Sequence, residues 1–146
     1  MQNTQPAPIG TAGISHRRLL LAAPLAAGAA ALANALVYAI ASALGTIPTD
    51  VPVPASGEPI TLSPVIVTSV IGALGAAAVF AVIAAISSRP ARLFWWVALV
   101  VLALSFATPF TIPGAPAAMI ASLLLMHVVA WAVSVALLVR LPAARR

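Results

Sequence analysis

Hydrophobic residues fall into four long runs along this chain, and short polar or proline-rich segments separate them. The runs cover residues 19–44, 62–86, 93–110 and 117–139. Each approaches or exceeds the ~20 apolar residues that a helix needs to cross the ~30 Å hydrocarbon core of a bilayer. The pattern therefore predicts an all-α transmembrane bundle of four helices. Because short connections make successive helices neighbours, we expect antiparallel helices in up-down order.

The charged residues divide between two sides of this pattern. The acids, Asp50 and Glu58, both lie between the first and second runs. The arginines precede the first run, follow the fourth, or lie between the second and third: Arg17, Arg18, Arg89, Arg92, Arg140, Arg145 and Arg146. Cytoplasmic flanks of membrane spans collect Arg and Lys. We therefore expect a multi-pass protein of the cell inner (plasma) membrane with both termini in the cytoplasm.

Composition excludes several classes of protein. The chain has 146 residues, of which 63% are hydrophobic and 6% charged, and its mean hydropathy is +1.15. Soluble domains carry about 25% charged residues, so this chain cannot cover a soluble surface. The arginines that give the chain its net charge of +5 lie beside the apolar runs. Their position therefore predicts contact with anionic lipid head groups rather than with nucleic acid. The absence of Cys excludes disulfides and thiolate chemistry, and we expect no cofactor and no metal.

The same pattern divides the chain into two tails and one transmembrane domain. Residues 1–16 are polar and have no apolar period, which predicts a disordered cytoplasmic tail. Residues 17–141 form the four-helix transmembrane domain, and residues 142–146 form a basic cytoplasmic tail. The sequence SHRRLLL at 15–21 also resembles a twin-arginine export signal. A cleavable signal has an apolar region of about 7–15 residues, however, and the first run is much longer.

Two polar residues lie near the middle of their runs, Asn34 in the first and His127 in the fourth. Lipid satisfies neither their donors nor their acceptors. Helical spacing places Asn34 on a face of small residues, which should turn inward, and His127 on one face with Trp131 and Ser134. We expect a direct or water-mediated contact between Asn34 and His127 that fixes the packing of the helices. The alternative is that His127 contacts a ligand, a proton or a metal.

Other residues have simpler expected roles. Gly72 and Gly75 form a stripe of small residues that predicts close helix packing. Arg92, Trp95 and Trp96 are expected to anchor the third helix at the membrane interface, together with Phe94. Four hydroxyl side chains either line a shallow pocket or bond to carbonyls of their own helix: Thr68, Ser69, Ser105 and Thr108.

Several short motifs resemble a known family. They are AALANALVYAIASALG at 30–45, LSP at 62–64, SSRPARLFWW at 87–96 and LLLMHVVAW at 123–131. On these motifs, residues 18–140 resemble a family of small four-helix bacterial integral membrane proteins known only as a domain of unknown function. The resemblance implies four helices and a bacterial source, and it implies no activity. Asn34 and His127 match the polar features of that family.

The residues favour a protein without catalytic activity, because the runs contain no nucleophile–base pair and no deeply placed acid, Lys or Arg. The first interpretation is a structural or accessory component, or a small subunit of a membrane assembly. The second is an oligomeric small-molecule carrier or channel subunit. The third is a membrane enzyme or cofactor binder that uses His127. The expected partners are the lipid bilayer and either further copies of the chain or a larger membrane complex.

Overall fold

The four apolar runs form four α-helices in the computed structural model, which describes residues 16–54 and 56–142. The helices are α1 (His16–Ala43), α2 (Leu62–Ile86), α3 (Pro90–Ser105) and α4 (Ala117–Arg140). All four are long and apolar enough to cross a membrane when the residues up to Thr111 are counted with α3. No strand occurs in the described ranges, where Pro52 and Pro59 form an isolated bridge. The predicted all-α bundle of four helices is confirmed.

The third run differs from its prediction because it does not form one continuous helix to residue 110. α3 ends at Ser105, and a 3₁₀ helix follows at Thr108–Thr111. An α-helix would need the backbone N–H of residue 109 to donate to the Ser105 carbonyl, and Pro109 has no N–H. The Thr108 hydroxyl donates to that carbonyl instead, at 2.8 Å. The proline therefore sets the end of α3.

The described residues include the whole of α1 but almost none of the two predicted tails. α1 begins at His16 and so includes the arginine pair Arg17 and Arg18, which the pattern had placed before the helix. The disordered tail predicted for residues 1–16 lies outside the described residues except for His16. The basic tail predicted for 142–146 lies outside them except for Pro142.

α1 packs closely against α2 and α4 through small side chains. The buried residues that form this alanine face are Ala22, Ala26, Ala27, Ala30 and Ala31. Their spacing of three or four residues places them on one side of the helix. Ala27 and Ala30 pack against Ala73 of α2. Side chains this small let helix backbones approach each other closely, which is how helices associate where no water drives them together.

Two clusters of larger buried side chains join the helices at different levels. The large cluster joins the start of α1, the end of α2, the start of α3 and the end of α4, with Phe80, Phe94 and Leu138 at its centre. The rings of Phe80 and Phe94 lie 4.9 Å apart in an edge-to-face arrangement. The second cluster joins Ala41 and Met126 to residues of the first connecting loop and of α2.

α3 is attached to the bundle mainly at its start. Phe94 is the only buried side chain of this helix. Val100, Val101 and Leu104 are all more than half exposed. Large exposed side chains also cover α1 on the side away from its alanine face: Leu20, Leu21, Leu25, Leu32, Leu36 and Ile40. A soluble protein rarely exposes an apolar surface this extensive, so these side chains contact lipid.

The loop between α1 and α2 is held to the helices by several hydrogen bonds. The Tyr38 hydroxyl of α1 donates to the Ile60 carbonyl at 3.3 Å. The hydroxyls of Thr46 and Ser122 lie 2.9 Å apart, which ties the loop to α4. Within the loop, the Val53 N–H donates to the Glu58 carbonyl at 3.0 Å. The loop therefore forms an ordered cover at one end of the space between α2, α3 and α4.

Candidate functional site

A cavity of about 1340 Å³ lies between α2, α3 and α4. We call it the interhelical cavity. Loop residues Val53, Pro54 and Pro59 line one end of it, and Phe94 and Val135 line the other. Asn34, which belongs to α1, also lines the cavity. Most of its remaining surface is apolar, so the cavity resembles the sites that bind small apolar molecules, which are concave and carry few polar groups.

The α2 wall of the cavity is its most open part. This glycine face consists of Thr68, Gly72, Gly75 and Val79, which are all exposed and all line the cavity. A Cβ atom built on Gly72 or Gly75 would have no atom of a neighbouring element within 4 Å. No helix of the described chain therefore packs closely against these glycines, and the close helix packing predicted for them stays a prediction. α2 instead turns Ser69, Ala73 and Ala77 toward the bundle, and the glycines lie on the adjacent face.

Asn34 is held by α2 rather than by α4. Its Nδ2 donates to the Ser69 Oγ at 2.9 Å, and that hydroxyl donates to the Val65 carbonyl at 2.7 Å. Because the Ser69 proton is already used, Ser69 accepts from the Asn34 amide, and this fixes the orientation of the amide. Asn34 Oδ1 is then left buried and without a partner in the described part of the chain.

The direct hydrogen bond predicted between Asn34 and His127 is not found among the described residues: Asn34 Nδ2 donates to Ser69, and Asn34 Oδ1 has no partner there. Both residues nevertheless line the same cavity. The inward-facing small surface predicted around Asn34 is present as the alanine face. Sequence spacing alone did not indicate Ser69 as the partner, since α1 and α2 must first be placed side by side.

His127 has a defined arrangement of donor and acceptor. Its Nδ1 lies 2.7 Å from the Leu123 carbonyl oxygen, one helical turn earlier. A carbonyl only accepts, so Nδ1 carries the proton. In the neutral ring the other nitrogen, Nε2, then has a free lone pair. Trp131 and Ser134 line the cavity on the same face of α4 as His127, as the helical spacing predicted.

Trp131 is the second residue with an unpartnered polar atom. Its Nε1 is buried and has no hydrogen-bond acceptor among the residues that the structure describes. Leaving a buried donor or acceptor unpaired costs about 1–3 kcal/mol. Asn34 and Trp131 carry the two such atoms found in the described ranges, and both residues line the interhelical cavity. Helical spacing places Trp131 on one face with His127, but nothing in the sequence indicates that its N–H lacks a partner.

The four hydroxyl side chains predicted to line a pocket are already hydrogen-bonded. Thr68, Ser69, Ser105 and Thr108 all line the interhelical cavity. Each also donates to a carbonyl of its own helix or of the turn before it, at 2.7–2.8 Å. Both interpretations of these residues therefore hold together. Their local bonds make these four hydroxyls weak sites for a ligand, whereas Asn34 and Trp131 each have an unpartnered buried atom and His127 has a free lone pair on Nε2.

Charge is nearly absent from the cavity. Among the described residues that line it, Glu58 in the loop is the one charged side chain, and none is Arg or Lys. No group of three or more potential metal ligands occurs in the described ranges.

The aromatic residues at the start of α3 have two different environments. Trp95 and Trp96 are exposed, with ring centroids 4.9 Å apart, and Arg92 is also exposed. Their role as interfacial anchors stays a prediction. Phe94 was expected beside them at the interface, but it is buried in the large cluster. The side chains of neighbouring residues point in different directions around a helix, which separates Phe94 from the tryptophans.

Comparison with known proteins gives a family but no activity. The sequence model of a family of unknown function, DUF6069, matches residues 14–144. No curated protein and no solved structure matches the chain significantly. The match covers the whole four-helix region and confirms the resemblance seen in the motifs. The chain therefore belongs to DUF6069, a family of unknown function.

Proposed function

We propose that this membrane protein binds an apolar molecule of the bilayer in the interhelical cavity and carries out no chemistry on it. The observation that supports this proposal is the cavity itself, which has a volume of about 1340 Å³ and a mostly apolar lining. Ligand cavities typically have volumes of about 300–1,000 Å³, so the space is sufficient for a lipid chain. Its polar groups are few, which suits a ligand that is apolar over most of its length.

The route into the cavity is proposed to lie between α2 and α3. Gly72 and Gly75 leave the α2 side of this gap open. On the other side, α3 buries only Phe94, near its start. A ligand that enters sideways from the bilayer stays in an apolar environment throughout. It therefore avoids the cost of exposing its chain to water.

The absence of catalysis belongs to the same proposal. The titratable side chains among the described lining residues are Glu58, in the loop, and His127, in α4. Neither is hydrogen-bonded to a Ser, Thr or Tyr side chain there. Activation of a hydroxyl nucleophile by a general base requires such a pairing. We therefore assign the protein the role of an accessory or carrier component, acting as an oligomer or within a larger membrane assembly.

We also infer that the helices run antiparallel in up-down order with both termini in the cytoplasm. The large cluster supports the antiparallel order, because it gathers alternate starts and ends of successive helices. The distribution of arginines supports the orientation. Ser56 and Ser88 are both exposed, and the chain has no Cys. An impermeant thiol reagent outside intact cells should label Ser56→Cys and not Ser88→Cys, and the reverse labelling would exclude this orientation.

Filling the cavity tests the binding role. In Gly72→Leu, the new Cβ has no neighbouring atom within 4 Å and the side chain is added to a residue that lines the cavity, so we expect the fold to be kept and the ligand to be lost. Gly28→Leu is the matched control, because Gly28 is also exposed and unobstructed but does not line the cavity. Lipids that remain on the detergent-purified protein can be counted by native mass spectrometry. Equal retention by the wild type and by both variants would contradict the proposal.

A further inference from the structure

Three side chains on the α1 and α4 sides of the interhelical cavity have polar atoms that are available to a ligand. These atoms are the free Nε2 of His127, the Nε1–H of Trp131 and the Oδ1 of Asn34. His127 and Trp131 are four residues apart on α4, so their side chains are neighbours about 6 Å apart along the helix axis. The set therefore contains two acceptors and one donor, on residues that line one space.

The chemistry of these groups specifies the head group of a ligand. A hydroxyl donates one proton and accepts another, so it matches an acceptor on His127 or Asn34 together with the donor on Trp131. An ether or an ester only accepts, and it satisfies Trp131 alone. A carboxylate or a phosphate brings a charge into a cavity whose described lining has no Arg or Lys and whose one charged residue, Glu58, is itself acidic. Burying an anion without a partner is strongly unfavourable.

On the basis of the proposed function, we propose that the ligand of the interhelical cavity is a neutral lipid alcohol. Its hydroxyl donates to His127 Nε2 or Asn34 Oδ1 and accepts from the Trp131 N–H, while its chain lies along the glycine face of α2. The Asn34 and Trp131 atoms each have less than 1 Å² of accessible surface. Binding of the hydroxyl therefore requires these side chains to reorient, which for the Asn34 amide means leaving its hydrogen bond with Ser69.

Matched probes test this head-group specificity on the full chain in nanodiscs. The probes are radiolabelled hexadecanol, hexadecyl methyl ether and palmitate, with retention measured relative to protein-free nanodiscs. The ether keeps the oxygen and the chain but cannot donate a proton. We expect hexadecanol to bind about tenfold more tightly than the ether, the effect of one ordinary hydrogen bond. Palmitate, which is ionised at pH 8, should bind more weakly than the alcohol.

Variants assign the effect to the named groups. His127→Leu removes the acceptor, and Trp131→Phe removes the N–H while keeping an aromatic ring. His127→Leu should bring the affinity for hexadecanol close to that for the ether and leave ether binding unchanged. Trp131→Phe should weaken the binding of both probes, because each accepts from the Trp131 N–H, and should keep the preference for the alcohol. His127→Gln supplies an amide oxygen as a new acceptor, so it should recover most of the preference for the alcohol. This recovery distinguishes recognition of the ligand from a purely structural role of His127.

The outcomes separate this inference from the proposed function. If alcohol and ether bind equally, and Gly72→Leu abolishes both, the cavity binds apolar molecules but the head-group inference is wrong. Tightest binding of palmitate would overturn the inference as well, because it contradicts the charge argument. If no probe exceeds protein-free nanodiscs, the proposed function itself fails, and the inference fails with it. The predicted order among wild type, His127→Leu and His127→Gln would support the inference.

Discussion

Two surfaces made of small residues lie in this bundle, and they have opposite surroundings. The alanine face of α1 is closely packed, with Ala26 and Ala30 fully inaccessible. The glycine face of α2 has open space beside it, because no neighbouring atom lies within 4 Å of a Cβ built on Gly72 or Gly75. Small residues therefore permit a close approach of helices but do not cause one. The second helix must be brought there by contacts elsewhere.

The position of the neighbouring helix explains the difference. α1 is packed along its length, since its alanine face contacts both α2 and α4. α3 is held by Phe94 at its start and ends early at Ser105, before the 3₁₀ helix Thr108–Thr111 that contains Pro109. It therefore leaves the glycine face of α2 uncovered. The closely packed surface supplies stability, and the uncovered surface supplies the space for a ligand.

The largest expected effect comes from removing the contact that holds α3. Phe94→Ala deletes a ring that is 1% exposed and packs against Phe80 at 4.9 Å. Deletion of a buried aromatic ring typically costs about 3–5 kcal/mol. We expect a loss of this order in the free energy of unfolding, measured by denaturant titration of the detergent-solubilised protein. Loss of bound lipid should accompany it, since α3 forms one wall of the cavity.

Phe110→Ala is the matched control for this substitution, because the Phe110 side chain is 64% exposed. It removes the same atoms from the 3₁₀ helix without opening the large cluster, so its effect should be small. If both substitutions destabilise the protein equally, α3 is not held mainly through Phe94. The position of α3 would then not explain why the alanine face is packed and the glycine face is open.

The next-largest effect is expected when a leucine side chain is placed on each of the two surfaces in turn. Ala30→Leu inserts three carbon atoms where Ala30 packs against the α2 helix at Ala73. Overpacking of this kind costs about 1–3 kcal/mol. Gly72→Leu adds a larger group into open space and should leave the free energy of unfolding nearly unchanged. Thermal unfolding of the two purified variants should give different midpoints, and equal midpoints would show that the glycine face is closely packed in the membrane.

The sequence predicted the four helices well because their signals are local. Run length and apolar composition placed α2 at residues 62–86, which are the bounds that the structure has. Helical spacing also predicted that Asn34 faces inward and that His127 shares a face with Trp131. These properties depend on one helix at a time, so they can be derived from a single sequence.

The partners of these residues could not be predicted in the same way. That Asn34 meets Ser69 rather than His127 depends on which helix lies beside α1 at that depth. That Gly72 faces open space depends on where α3 ends, which Pro109 decides from more than thirty residues away in sequence. Such contacts arise from the packing of whole helices. The pattern of apolar residues along each helix does not specify them.

A smaller effect is expected from glycine-to-alanine substitutions, which separate helix propensity from packing. Gly75→Ala adds one methyl group in open space within a helix. Alanine favours a helix interior over glycine by about 0.5–1 kcal/mol, so stability should rise slightly. At Gly45, where φ is +68°, the same substitution should instead lower stability, because a Cβ disfavours the left-handed conformation by about 1–2 kcal/mol. Opposite shifts of the unfolding midpoint would distinguish the two sites.

The smallest expected effect is the coupling between Asn34 and Ser69 across the packed surface. Their 2.9 Å hydrogen bond is buried, yet such bonds between membrane helices contribute on average only ~0.6 kcal/mol and at most ~1.7 kcal/mol. Asn34→Ala also removes the unpartnered Oδ1, which relieves part of the cost of burying a polar group. We therefore expect each single alanine variant to lose little stability. A double-mutant cycle measured by SDS titration should give a coupling below ~1.7 kcal/mol. A larger coupling would mean that this hydrogen bond, rather than the small side chains of the alanine face, holds α1 against α2.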